Sequence, residues 1–334
     1  MAIAAVESPE PINFRPRRLG HVNLWVGDVK KNTEFYNKVL GFHLEATEPG
    51  IKGSFLGNGN THHDIGTVEI TRGEDRLGRD GQVLIPKDMS GRTGLFHLGW
   101  EMENEKVLVD AIFRLKKTDQ PIGFFADHQI SHSIYIPDPD GNLNEFYADF
   151  LKDWRSMFQG EMELITGVWN PGEKPAHADV RYDPKPRLYG VADAPLHPKY
   201  ITHAAFTVVD FEKSYRFYSE VAGLKPIHVD AKRTYATFAS GIGRYDLAIF
   251  QARKGDKVGL HHAGFELESE AALKASKAAL KKQGVKIEKE VDDGSKSSLF
   301  VLDPDQTRWE FFVDRKRDHG AIAKAAAAER AYLA

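Results

Sequence analysis

The chain contains two copies of one long sequence pattern, and this repeat constrains its fold more than any other feature. Each copy opens with a similar segment, HVNLWVGD at residues 21–28 and HAAFTVVD at residues 203–210. Each copy also ends alike, with DPDGNLNE at residues 138–145 and DPDQTRWE at residues 303–310. A repeat of this length indicates a duplicated domain rather than a solenoid of short units.

Each copy begins as a strand that leads into a helix. Residues 21–26 alternate polar and apolar side chains, as a half-buried strand does. Asp28 is a suitable N-cap and Gly41 a suitable C-terminal stop for the helix that follows. Asp210 and Gly223 take these places in the second copy. Further strands are predicted over residues 53–56, 64–70, 95–102 and 133–147 with a helix over 106–117, and over residues 235–238, 246–250, 263–267 and 298–313 with a helix over 270–283. This mixture predicts an α+β fold.

The spacing of equivalent residues locates one insertion in the first copy. His21 and Asp64 precede their counterparts, His203 and Asp246, by 182 residues, whereas Glu145 precedes Glu310 by 165. The first copy therefore has a net insertion of 17 residues (182 − 165) within residues 71–94. Inserted loops often carry function, but a surface excursion or a subunit contact explains this one equally well.

Composition excludes several classes of function. A length of 334 residues suits two domains, and a formal charge of −3 gives no basic field for nucleic acid. The chain has no cysteine, which excludes disulfides, thiolate metal sites and a cysteine nucleophile. No apolar run approaches the ~18 residues that a membrane span needs, and residues 1–18 lack a signal-like apolar core. The expected location is the cytoplasm.

The repeat and its flanking segments suggest the domain boundaries. We expect an N-terminal tail over residues 1–18, a linker over 151–200 and a helix over 315–334, which either packs on the body or covers a site. The two domains lie between them, at 19–150 and 201–314.

Each copy retains two histidines and one glutamate in the same order. They are His21, His97 and Glu145 in the first copy and His203, His262 and Glu310 in the second. Two imidazoles and one carboxylate bind one face of a non-haem Fe(II) ion and leave other positions open. The same set accepts Mn(II), so the sequence does not separate the two metals.

These residues, with the motifs around them, resemble the vicinal oxygen chelate superfamily and, within it, the type I extradiol catechol dioxygenases. The resemblance covers residues 20–147 and 202–313. It implies duplicated β-α-β-β-β modules that form two barrel-like mixed-sheet domains, the glyoxalase, bleomycin-resistance and extradiol dioxygenase fold. It also implies Fe(II), an aromatic diol and O2 as reaction partners, and a homo-oligomer.

Three further residues carry the likeness to the dioxygenases. The resemblance places the catalytic histidine at His63, a second active-site histidine at His128 and the catalytic tyrosine at Tyr135. Read as one strand with Glu145, Tyr135 would share its face because ten residues separate them. Histidines that titrate near neutral pH suit proton transfer in either direction.

The second copy keeps the two histidines and the glutamate but lacks the three further residues. Tyr245 stands at the position of His63, Phe300 at that of Tyr135 and Asp293 at that of His128. We therefore predict catalysis in the first copy, whereas better-known two-domain extradiol enzymes carry their metal in the C-terminal copy. A second, silent metal in the C-terminal copy stays an open alternative.

Two other functions are compatible with the shared fold. A glyoxalase-like isomerase or lyase would leave His63, His128 and Tyr135 without a purpose. A small-molecule-binding protein would need no metal, although ligand sets persist in both copies. The predicted function is an extradiol dioxygenase that opens a catechol-type ring with Fe(II) and O2.

Overall fold

The computed structural model describes residues 12–158, 161–164 and 167–334. Most of the predicted tail, residues 1–11, lies outside this range. The first half contains β1 (Arg18–Val26), α1 (Val29–Lys38), β2 (His43–Glu48), β3 (Gly53–Gly57), β4 (Ile65–Glu69), β5 (Arg76–Leu77), β6 (Val83–Ile85), β7 (Gly94–Glu101), α2 (Glu105–Leu115), β8 (Phe124–Asp127), β9 (Ser131–Pro137) and β10 (Leu143–Asp149).

The second half repeats this order. It contains β11 (Ile201–Val208), α3 (Phe211–Arg216), β12 (Lys225–Val229), β13 (Tyr235–Ala239), β14 (Leu247–Gln251), β15 (Gly259–Glu266), α4 (Glu270–Lys282), β16 (Ile287–Asp292), β17 (Lys296–Leu302) and β18 (Arg308–Asp314), followed by α5 (His319–Lys324) and α6 (Ala327–Arg330). A π-helical turn at Phe217–Val221 extends α3.

Each half is one eight-stranded mixed sheet built from two β-α-β-β-β modules. The strand order is β2-β3-β4-β1-β7-β10-β9-β8 in the first half and β12-β13-β14-β11-β15-β18-β17-β16 in the second. The first strands of the two modules, β1 and β7, pair antiparallel at the centre, and each pairs in parallel with the last strand of its own module. The predicted α+β fold of duplicated modules is confirmed.

The predicted helix starts and stops are present in both halves. Asp28 accepts a hydrogen bond from the backbone N–H of Lys31 at 2.9 Å, and Asp210 accepts one from Lys213 at 3.1 Å. Gly41 ends its turn with φ +85°, and a side chain there would also collide with the carbonyl oxygen of Leu196. Local sequence therefore sets the position of α1 and α3.

The predicted strands over residues 133–147 and 298–313 are both wrong, because the chain reverses within each of them. Residues 131–149 form a hairpin of β9 and β10, and Asp138 holds its turn by accepting hydrogen bonds from the N–H groups of Asp140 and Asn142. Gly141 has φ +83°, which suits glycine at the turn. Tyr135 and Glu145 are directly opposite each other across the hairpin, so they share a face for a different reason than predicted.

The C-terminal segment is not one helix. Residues 315–334 form α5, α6 and a short 3-10 turn at Ala331–Leu333. Ile322, Ala331 and Ala334 pack against Ala205 and Phe250 on the second sheet. The segment thus covers the concave face of the second half.

Among the described residues, no helix combines the length and the apolar character that crossing a lipid bilayer requires.

Candidate active site

Three neighbouring strands bring His21, His97 and Glu145 together. These residues lie on β1, β7 and β10, which are adjacent at the centre of the first sheet. His21 Nε2 is 2.8 Å and His97 Nε2 is 3.1 Å from the same carboxylate oxygen, Oε2 of Glu145. The side chains are 1%, 2% and 3% exposed, in that order.

A glycine makes room for the first histidine. Gly99 is the partner of His21 across the β1–β7 ladder, and a Cβ atom at that position would lie 2.1 Å from His21 Nε2. Gly264 has the same relation to His203 in the second half, with a closest approach of 2.2 Å. The ladder therefore holds each imidazole flat over the neighbouring strand.

The electrostatics of this group suit a divalent cation. Burial lowers the pKa of His97 to about 4, so its imidazole is neutral at pH 7. Although burial opposes it, the neighbouring His21 and His97 hold the pKa of Glu145 well below its usual range. Nδ1 of His21 and Nδ1 of His97 are buried without a hydrogen-bond partner. Two imidazoles beside an ionised carboxylate are a donor set that Fe(II) and Mn(II) bind, so these residues fit such a metal.

His63 lies in the loop that precedes β4, against the ring of His21. The ring centroids are 4.2 Å apart, and His63 Nε2 is 3.0 Å from Oδ1 of Asn23. Its Nδ1 is 2.8 Å from Nδ1 of His62. Burial, with the neighbouring His21 second, lowers the pKa of His63 well below its ordinary value. The side chain is therefore a neutral hydrogen-bonding group at the edge of the cluster.

His128 and Tyr135 form a hydrogen-bonded pair on the other side of Glu145. His128 Nε2 is 3.0 Å from the Tyr135 hydroxyl and 3.6 Å from Oε1 of Glu145. Burial raises the pKa of Tyr135 well above its ordinary value, and burial lowers the pKa of His128. At neutral pH the phenol therefore keeps its proton and the imidazole is unprotonated.

Sequence reasoning missed three polar residues that belong to this cluster. Ser133 donates from Oγ to Oε1 of Glu145 at 2.6 Å, and Asn23 and His62 both contact His63. Two of them had a usable signal, because Ser133 precedes Tyr135 by two residues and Asn23 follows His21 by two, which places each pair on one strand face.

The cluster opens into a largely apolar cavity of about 480 Å³. His63, His97, His128, Tyr135 and Glu145 form its polar end. Its walls come from side chains scattered along the first half, including Phe55, Val68, Leu84, Ile85, Met89, Phe96, Phe124, Phe125, Ile130 and Leu164. The insertion within residues 71–94 supplies residues 82–86 and Met89, so it is a wall of this cavity.

The second half brings its two histidines and glutamate together in a similar arrangement, but a lysine side chain also contacts the glutamate. His203 Nε2 and His262 Nε2 lie 3.0 and 3.3 Å from Oε2 of Glu310. The ammonium of Lys296 lies 2.6 Å from Oε1 of the same carboxylate. Although burial opposes it, the charge of Lys296 holds the pKa of Glu310 well below its usual range. Burial lowers the pKa of Lys296 to about 8, so the lysine is mainly charged at pH 7.

The residues of the second half that stand at the positions of His63, Tyr135 and His128 make structural contacts. The Tyr245 hydroxyl donates to Asp314, and Phe300 packs edge-on against His262 with ring centroids 5.2 Å apart. Asp293 accepts hydrogen bonds from the backbone N–H groups of Ser295 and Lys296. None of the three provides a proton-transfer group beside Glu310.

Sequence comparison assigns the family. The model of the Glyoxalase/Bleomycin resistance protein/Dioxygenase superfamily matches residues 18–146 and 200–311, which is well over half of the chain. The chain belongs to this superfamily. Within the superfamily it is related to ring-cleaving dioxygenases. Catechol-2,3-dioxygenase of Bacillus subtilis (strain 168) is 24% identical over 285 residues, which cover 75% of this chain and 90% of that protein.

Other relatives match one repeat or the fold alone. A probable trivalent organoarsenical cleaving enzyme of Bacillus subtilis (strain 168) is 33% identical over 124 residues, covering 35% of this chain and 81% of that protein. The solved structure of the 2,3-dioxygenase LapB from Pseudomonas sp. KL28 superposes with a TM-score of 0.64 at 14% identity, over 92% of this chain and 94% of that one. A variant of homoprotocatechuate 2,3-dioxygenase from B. fuscum gives 0.63 at 16% identity, over 95% and 75%. These superpositions support the fold.

Proposed function

We propose that this protein is an extradiol dioxygenase whose active site lies in the first repeat. The observation that carries the proposal is the meeting of His21, His97 and Glu145 with His63, His128 and Tyr135 at one end of one cavity. Both repeats contain two histidines and a glutamate that could bind a metal. Among the residues that the structure describes, the groups His63, His128 and Tyr135, which could transfer a proton, accompany this set in the first repeat.

The first three side chains would hold Fe(II), with Mn(II) as the alternative. When bound, the metal supplies positions for O2 and both hydroxyl oxygens of a catechol, and it lowers the pKa of those hydroxyls. Ser133 and the two histidines fix the carboxylate of Glu145, so the ligand face is preorganised before the metal binds.

The remaining side chains handle protons. His128, kept neutral by burial and hydrogen-bonded to Tyr135, is placed to accept the proton of a catechol hydroxyl. Tyr135 keeps its own proton and holds that oxygen by a hydrogen bond. His63, whose ring packs against that of His21, would donate a hydrogen bond and then a proton to oxygen during the reaction. Both atoms of O2 enter the product, one ring C–C bond beside the diol breaks, and no external reductant is needed.

The cavity favours a neutral catechol with an apolar substituent. Its volume of about 480 Å³ lies within the range of pockets that bury drug-sized ligands, which leaves space beyond a single ring. Its walls are apolar, and neither lysine nor arginine is among the lining residues. A carboxylate substituent would lose its hydration there without gaining a cationic partner, so it should bind poorly.

Cleavage of trivalent organoarsenicals, the activity in the name of one relative, fits this chain less well. Trivalent arsenic is a soft centre that pairs with thiolates, which also bind soft metals. The chain contains no cysteine to hold it.

The test is O2 uptake by anaerobically Fe(II)-loaded protein with a panel of diols. The panel contains catechol, alkyl- and aryl-substituted catechols and a carboxymethyl-substituted catechol, and mass spectrometry with 18O2 follows both oxygen atoms. We expect ring-opened product carrying two labelled atoms and the highest kcat/KM with the apolar substituents. Metal-loaded protein that consumes no O2 with any diol would reject the proposal.

A matched pair of variants tests which repeat contains the active site. His97→Ala should lose bound metal and reduce turnover below about 1%, because it removes a ligand. His262→Ala makes the same change at the equivalent position of the second repeat and should retain both. Equal losses in the two variants, with folding intact, would place the active site elsewhere.

A further inference from the structure

The second His–His–Glu group, formed by His203, His262 and Glu310, contacts the ammonium group of a lysine side chain. Lys296 is fully buried, and its ammonium lies 2.6 Å from Oε1 of Glu310 while Oε2 faces His203 and His262. Both carboxylate oxygens are therefore engaged. In the first repeat, Oε1 of Glu145 instead accepts a hydrogen bond from the neutral Ser133.

The duplication shows which residue the lysine replaces. Lys296 corresponds to Ser131, since 296 − 165 = 131. The hairpin ladders agree, because Ser131 pairs with Asp149 in the first half and Lys296 pairs with Asp314 in the second. The position that carries the small hydroxyl of Ser131 at the edge of the first cavity thus carries the ammonium group of Lys296 in the second half.

The C-terminal segment covers Lys296 and the second His–His–Glu group. The ammonium of Lys296 also donates to the main-chain oxygen of Ala334 at 2.5 Å. The ring of Tyr332 packs against Phe300 and His261, with centroid distances of 4.8 and 4.7 Å. These contacts fill the space that corresponds to the open cavity of the first repeat.

A second buried cation adds to the local positive charge. Arg317 lies over the ring of Tyr245, with its guanidinium carbon 3.9 Å from the ring centroid. The same carbon lies 5.9 Å from the ring centroid of Phe312, which in turn packs on His203. A divalent ion placed among these residues would face two fixed positive charges, whereas the described neighbours of Glu145 in the first repeat include neither lysine nor arginine.

We infer that the second His–His–Glu group is a metal site closed by the chain's own lysine: Lys296 neutralises Glu310 in place of a divalent ion, and residues 319–334 cover the pair. The protein as a whole then binds one metal, in the first repeat. Replacing Lys296 by the serine of the first repeat opens a second site.

The experiment counts metal ions per chain. Full-length protein is loaded anaerobically with Fe(II), and separately with Mn(II), then desalted and analysed by inductively coupled plasma mass spectrometry. We expect one equivalent for the wild type, about two for Lys296→Ser, and one again for Lys296→Ser combined with Glu310→Ala. Glu145→Ala with Lys296 in place should hold none. Two equivalents in the wild type, or one in folded Lys296→Ser, would overturn the inference.

The reciprocal change covers the case in which Lys296→Ser does not fold. Ser131→Lys brings an ammonium to the first repeat and should lower metal content from one equivalent to none, whereas Ser131→Thr should keep one. Retention of metal by folded Ser131→Lys would count against a blocking lysine. Because each readout is metal content, the result is independent of whether any catechol is turned over.

Discussion

The hydroxyl of Tyr36 donates to Asp303 at 2.6 Å, which joins the first helix of one repeat to the last turn of the other. The reciprocal contact is present as well, since Tyr218 donates to Asp138 at 2.8 Å. All four side chains are buried. The tyrosine and the Asp-Pro-Asp turn that recur in both copies therefore form a reciprocal contact between the halves, and a single apolar core continues across them.

Removal of one of these hydroxyls should destabilise the whole chain. Tyr36→Phe leaves a buried carboxylate of Asp303 short of a partner, at a cost of about 1–3 kcal/mol. Urea unfolding monitored by fluorescence and circular dichroism should give a lower midpoint with one shared transition. A double-mutant cycle with Asp303→Asn is the control, because coupled partners give non-additive losses. Strictly additive losses would mean that the contact contributes nothing.

The pair formed by His128 and Tyr135 should act as one unit in catalysis. Tyr135→Phe and His128→Asn each remove one end of the 3.0 Å contact, and each should lower kcat by about 10²–10⁴-fold. The double variant should be little worse than the poorer single variant, because the two groups handle the same proton. Bound metal should stay at the wild-type level in all three. Independent, multiplicative effects would assign the two residues to different steps.

The sequence predicted the members of the site better than the way in which they meet. His21, His97 and Glu145 could be found because the duplication repeats them at one spacing. Tyr135 was also found, but its position opposite Glu145 depends on the hairpin turn at residues 138–142. The prediction of one strand overlooked this turn, although proline, aspartate and glycine in the segment signal one. The predicted strands omitted the edge strand β2, whose alternation is weak.

Features that depend on contacts distant in sequence could not be predicted. The insertion within residues 71–94 lines the cavity, although it is distant in sequence from His128, Tyr135 and Glu145 at the polar end. Lys296 lies in an ordinary-looking strand, and its burial against Glu310 appears only when β17, β18 and the C-terminal segment pack together. The burial of His62 against His63 was not predicted either.

Acid should destabilise the metal-free protein well above the range in which carboxylates titrate. Burial lowers the pKa of His97 to about 4 and that of His62 to about 3, from an ordinary value of 6.5. Between pH 6.5 and about 4 the unfolded chain therefore binds protons that the folded protein does not. Each of these two histidines therefore lowers stability as pH falls over this range, by about 1.4 kcal/mol per pH unit. Asp64, whose pKa burial raises to about 7, acts in the opposite direction, so the effect of one histidine is measured as a difference between variants.

Urea unfolding at pH 7, 6 and 5 measures this slope. His62→Gln should reduce it by roughly one proton. A slope that is the same in His62→Gln and the wild type would show that His62 binds a proton in the folded state.

The glycine opposite each first histidine offers a matched test of ligand geometry. Gly99→Ala places a methyl group on His21 Nε2, and Gly264→Ala does the same to His203. Both variants should lose about 1–3 kcal/mol of stability, as overpacked cores do. Only Gly99→Ala should also lose bound metal and turnover. Metal analysis and O2 uptake distinguish the two, and full activity in a folded Gly99→Ala variant would show that the position of His21 is not critical.

The wall contributed by the insertion should decide which substituents are accepted. Leu84 lines the cavity and is only partly buried, so Leu84→Lys can place an ammonium at the wall without leaving it fully desolvated. The charge should raise kcat/KM for a carboxymethyl-substituted catechol and lower it for an alkyl-substituted one, shifting their ratio by about tenfold, which corresponds to ~1.4 kcal/mol. Val209→Lys adds the same charge at an exposed position outside the cavity and should leave the ratio unchanged. If both variants shift the ratio equally, the net charge of the protein is responsible and the insertion does not select the substrate.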